Sequence, residues 1–239
     1  QAAALETTDL AVLGTAQIRG LGATQIAALS TTQLGALTTT QMAGLSATQL
    51  GLLGTAQVAA LSTTQLGAFG TAQVAGLGSA QLGALTTTQL GALTTTQVAA
   101  IGTAQIRGLR TTNIAALTTT QVGALTSAQL GALTSAQAAA LETTDLAVLG
   151  TAQIRGLGAT QLAALNTTQL GALTTTQVVA LSGTQIGALG SAQLGSLSTT
   201  QLGVLTTTQV AAIGTSQIRG LRTTDIAGLT TTQVGALTS

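Results

Sequence analysis

Residues 81–97 read QLGALTTTQLGALTTTQ: the same eight residues twice, and then the start of a third copy. Eight matches neither the 3.6-residue turn of an α-helix nor the two-residue pleat of a strand. In one continuous helix each octad would overshoot two turns by ~80°, so the Leu stripe would wind around the helix and face no single partner. The first Thr offers another reading. It stands three residues before Gln, as in a capping box, where the hydroxyl accepts from the N3 amide and the N3 side chain returns to the N-cap amide. Each octad then holds one very short helix that opens at its first Thr.

Written in rows of eight from Gln1, all 239 residues align without an insertion in 30 rows, the last one residue short. The consensus is Q-[LIV]-[GA]-[AG]-L-[TSG]-[TAS]-[TA]. Column one is Gln except at Asp9, Asn113, Asp145 and Asp225; column two is always apolar; column five is Leu except at Phe69, Ile101 and Ile213. Column six holds Thr, Gly, Ser or Asn in 26 rows, close to the preference list of a helix N-cap. This register makes column five N′ and the next column two N4, the two hydrophobic-staple positions. Columns two and five are expected to face inward, columns three and six water. Gly in column six is expected to adopt the left-handed conformation that closes one helix before opening the next. Small residues in columns three and four let backbones approach closely.

Helices of about one and a half turns are unstable alone, so stability has to come from stacking. The expected fold is an all-α repeat solenoid of very short helices, one per octad. The alternative is a β-solenoid, with Thr, Val and Ile on strands and Gly at corners. Against it, columns two and five lie an odd number apart and would point to opposite faces of one strand. A slower repeat bears on the coil. Residues 1–29 recur at 137–165 with one change, and residues 101–127 recur at 213–239 with three. The offsets of 136 and 112 differ by 24 residues, which predicts about three octads per coil. The chain thus reads as one continuous array over 1–239, with the block 1–136 partly repeated from 137 to 239.

Composition narrows the functional classes. Only 5% of residues are charged and the formal net charge is +1, so there is no basic stripe for nucleic acid. With no His and no Cys, the commonest general base and the commonest metal and haem ligands are missing, and Met42 stands alone. Polar Gln and Thr interrupt every apolar run, so no membrane span and no signal peptide are expected. Both ends fall inside the pattern without an atypical capping unit, which reads as part of something longer or as a unit that stacks end to end. Neither an enzyme nor a cofactor is expected: the hydroxyls lack a base, and the Gly residues form no phosphate-cradling loop.

Two charged features remain. Glu6 and Asp9 stand three apart and recur as Glu142 and Asp145; the expected role of each Asp is to replace Gln at the N3 capping position. Every Arg lies in column three (Arg19, Arg107, Arg155, Arg219) or column six (Arg110, Arg222). These six are the candidate intermolecular contacts, toward a neighbouring copy, an anionic glycan or another surface. Arrays of Thr would suit ice binding if they lay on a flat strand face.

The stretches LTTTQVAAI (93–101) and LTTTQVVAL (173–181) resemble the L-[TS]-x-x-Q-[LIV]-x-x-L octapeptide arrays of very large bacterial surface proteins, labelled as haem-utilisation or adhesion proteins. The resemblance implies export to the cell surface or beyond and a structural or adhesive role; for haem the chain supplies no ligand. The same opening is similar to the first helix of TAL-effector repeats, but the two-helix period and base-reading residues are missing. The expected function is structural: an array that packs with itself into an extracellular filament, sheath or surface fibre. The alternatives are a stalk within a giant adhesin and an ice-binding module.

Overall fold

A computed structural model describes residues 4–237. Among the described residues there are 29 helices of four to six residues and no strand, so the β-solenoid alternative falls, and with it the strand face on which the ice-binding reading depended. The chain divides into two compact units, Gln1–Ala124 and Leu125–Ser239.

Within each unit every octad follows one local plan. Thr94 is the N-cap of helix Thr95–Ala99: its hydroxyl accepts from the Gln97 amide at 3.2 Å, and the Gln97 Oε1 accepts from the Thr94 amide at 2.7 Å. This is the capping box read from the sequence. Gly in column six has no side chain to make the first bond, and the second forms alone, as at Gly14, whose N–H donates to Gln17 Oε1 at 2.7 Å. The helix stops at column five because Leu there turns extended. Leu37 has φ −67° and ψ 134°, and its N–H closes onto the Leu34 carbonyl at 3.2 Å. Thr38 follows at φ −68° and ψ 161° and opens the next helix.

The left-handed Gly expected in column six does not occur. Gly14 has φ −72° and ψ 163°, and among the described residues no φ is positive. Helix closure is complete one residue earlier, so the N-cap needs only the extended conformation that any residue adopts.

Within each unit helices pack on those three places later, so a coil holds three octads. In the first unit Thr15–Arg19 packs on Thr39–Gly44, which packs on Thr63–Gly67, then Thr87–Gly91 and Thr111–Ala115. In the second unit Ser127–Ala132, Thr151–Gly156, Thr175–Ala180, Thr199–Gly203 and Thr223–Ala227 form the corresponding series. The core is a column of Leu, Ile and Val from columns two and five, joined by Met42 and Phe69. Columns three and four provide the close approach. A Cβ on Gly76 would lie 2.6 Å from the Ala47 carbonyl oxygen, and one on Gly51 would lie 2.9 Å from the Gly76 carbonyl oxygen.

Candidate functional site

The surfaces that do the joining are the faces of the coils, and column one builds them. Gln97 is 2% exposed, and beyond its capping bonds its Nε2 donates to the Leu66 and Phe69 carbonyls at 3.0 and 2.7 Å. Those carbonyls belong to the end of helix Thr63–Gly67 in the coil below, where a helix leaves its last acceptors unpaired. One side chain therefore satisfies an orphan donor at its own helix start and orphan acceptors at another helix end. The pattern recurs at Gln41, donating to Leu10 and Leu13, at Gln121, donating to Leu90 and Leu93, and at Gln209, donating to Val178 and Leu181. Among the described residues no buried side-chain polar atom lacks a partner. Sequence reasoning assigned Gln to the capping box alone. The signal it missed is that Glu would serve that box equally, yet column one never uses Glu.

The two faces of a coil are unlike. Column two is fully buried in the first described coil, at Leu10, Ile18 and Ile26, while Gln17 there is exposed. In the last described coil the order reverses: Gln233 and Asp225 are buried, but Ile226 is 36% and Val234 47% exposed. The preceding coil thus covers column one, and the following coil covers column two.

All six arginines are exposed. Arg19 ends its helix and donates through Nε to the Gly44 carbonyl at 3.1 Å, and Arg155 does the same to the Ala180 carbonyl at 2.9 Å. Arg107 and Arg219 are C-caps of helices Thr103–Ile106 and Thr215–Ile218. Arg110 and Arg222 are N-caps in identical octads, and the octads that follow differ at Asn113 against Asp225 in column one and Ala116 against Gly228 in column four. With Asn113 present, Arg110 Nη2 reaches the Leu85 carbonyl at 2.6 Å, and Asn113 Nδ2 reaches the same oxygen at 3.1 Å. Arg110 Nε also turns back onto Asn113 Oδ1 at 3.1 Å; with Asp225 present, both Nε and Nη2 of Arg222 bond the carboxylate, at 2.9 Å each. The hydrogen bond from Arg222 holds the Asp225 carboxyl below its ordinary value.

Asp9 and Asp145 accept from the Glu6 and Glu142 amides at 2.9 and 3.1 Å, the N3 role expected of them. Burial pushes the Asp145 carboxyl up, more than the Glu142 amide lowers it. Among the described residues no three acids gather as metal ligands, and no helix is long and apolar enough to cross a membrane.

A stack of one-helix octads, three to a coil and joined by buried Gln, is a short-helix repeat solenoid. The chain belongs to the ALTTAQ repeat family, which matches residues 2–39, 31–63, 58–95, 98–135, 138–175, 161–191, 178–215 and 211–239. A comparison with curated proteins finds no match.

Proposed function

We propose that the chain is a structural repeat protein that builds an extracellular filament, sheath or surface fibre by end-to-end or lateral packing. The observation that carries this reading is the complementarity of the two coil faces. One face presents Gln Nε2 donors; the other presents the carbonyls they bond, beside column-two side chains that a following coil buries. Any coil of the same kind fits there, whether from the same chain or from a second copy. Covering the apolar residues is favourable, and a head-to-tail contact that does not close on itself grows into a fibre. With only 5% charged residues, little electrostatic repulsion opposes the approach of copies.

Sedimentation velocity over a concentration series, with electron microscopy of the same samples, tests the reading. The expected result is a sedimentation coefficient that rises with concentration and fibres of uniform width. A chain that stays monomeric at its highest soluble concentration, without fibres, overturns it.

A second reading has its own support in the resemblance of LTTTQVAAI to the arrays of large bacterial surface proteins. Here the repeats are a stalk whose coils set reach, while a separate domain of the parent protein binds. Monomeric behaviour together with a parent gene encoding such a domain would select the stalk.

A further inference from the structure

On one side of the second unit, helices Thr151–Gly156, Thr175–Ala180 and Thr199–Gly203 lie in successive coils and leave a groove of about 420 Å³. Its lining includes Arg155, the hydroxyl-bearing Thr151, Thr175 and Thr176, and the apolar Val179 and Val204. We propose that this groove binds a monocarboxylate carried on a short apolar body.

Three features define that ligand. The Nε bond to the Ala180 carbonyl fixes the plane of the Arg155 guanidinium before any ligand arrives, leaving its Nη groups for the two oxygens of one carboxylate. No acid is among the lining residues, so a single positive charge calls for a single negative one. Val179 is 42% exposed, and with Val204 it makes walls that an aliphatic chain would cover; the bare, strongly hydrated body of a phosphate would not.

The chain contains its own control. Arg19 occupies the equivalent place in the first copy of the duplicated block and is anchored in the same way, to the Gly44 carbonyl. The positions matching Val179, Ala180 and Val204 are Ala43, Gly44 and Ala68 there, and the space beside Arg19 is smaller, about 280 Å³. Exchanging two small residues for Val in columns three and four, where the consensus is Gly or Ala, is what gives the Arg155 groove its walls.

The test is saturation-transfer difference NMR on the full chain with sodium hexanoate, and with 1-hexanol and sodium phosphate in parallel. The readout is the ligand's own signal, or a phosphorus linewidth for phosphate, so it works on monomer or assembly and does not depend on the proposed self-association. Hexanoate is expected to saturate in the low millimolar range, about 4 kcal/mol for a small ligand. Hexanol and phosphate should bind at least tenfold more weakly. R155Q should abolish the hexanoate signal, V204A should weaken binding about threefold, and R19Q should leave it unchanged. Absence of a hexanoate signal, an equal signal from hexanol, full binding by R155Q, or equal losses in R155Q and R19Q would each overturn the proposal.

Discussion

Gln97 shows why column one prefers Gln to Glu. Its Oε1 must accept from the Thr94 amide while its Nε2 donates to two carbonyls of the coil below, a combination that only a carboxamide of this length supplies. In Q97E the capping acceptor survives, but at neutral pH a buried carboxylate faces the Leu66 and Phe69 oxygens. We expect a loss of about 3 kcal/mol or more, exceeding that of Q97A, because a charge that has lost its donors costs more than an absent group. Lowering the pH protonates the introduced carboxylate and lets it donate, so the two variants should converge. Urea melts at pH 7 and pH 4 measure this, and equal losses at pH 7 would contradict the donor role. Asp145 makes the reverse case at a natural exception. Burial raises its carboxyl above the ordinary 3.8, so its charged form carries a cost above that raised value, relieved as pH falls through it. D145N is therefore expected to be more stable than the parent at pH 7 by about 1 kcal/mol. The gain should vanish below the ordinary carboxylate range, where both side chains are neutral; a gain independent of pH in thermal melts would rule out the charge as its cause.

At the scale of the single helix, the start was legible in the sequence and the end was not. N-caps such as Thr38, Thr94 and Ser182 lie where the capping box puts them, since side-chain reach across three residues depends only on local spacing. The end depends on tertiary packing. Leu37 turns extended as its side chain enters the core, which removes any need for a left-handed Gly at the following position. The small residues of columns three and four were legible as close-approach positions, but only the folded chain pairs Gly76 with Ala47 and Gly51 with Gly76. The candidate site was legible to a similar degree. Six exposed arginines follow from their columns, whereas the groove beside Arg155 needs Val179 and Val204 brought together from other coils. G76A places a methyl within 2.6–2.8 Å of backbone and Cβ atoms of Ala47, so helices Ala47–Gly51 and Thr71–Gly76 must part. We expect a destabilisation of about 1–3 kcal/mol. G91A, at a position where nothing lies within 4 Å, should raise stability slightly through helix propensity. Paired thermal melts of G76A and G91A distinguish a packing constraint from a general intolerance of Ala.

For the whole molecule, the backbone needs only the octad, whereas the surface needs the coil. A column-one Gln with a coil beneath it bonds a column-five carbonyl together with one from column two or three, as Gln177 and Gln169 do, and every octad offers these, so removing one octad re-pairs the coils without leaving a Gln donor unmatched. Deletion of residues 166–173 joins Leu165 directly to Thr174. Gln177 now bonds the Leu146 and Leu149 carbonyls; in the shortened chain it would take the place of Gln169 and its partners, the Ala139 and Leu141 carbonyls one octad earlier. We expect this variant to keep the parent's far-ultraviolet ellipticity per residue and a similar melting temperature. Deleting only 166–169 removes a cap and its Gln and shifts the next row by half an octad, so ellipticity and melting temperature should both fall. Faces behave differently, because residues share a side only at multiples of about 24. The one-octad deletion moves Val179 off the side that carries Arg155, and the groove is lost although the fold survives. This accounts for the 24-residue difference between the duplicated blocks, which lies between residues 165 and 213: loss of a whole coil is the smallest change that leaves every side in line. If the one-octad deletion melts as badly as the half-octad deletion, the octad is not the structural unit, and the three-octad coil is.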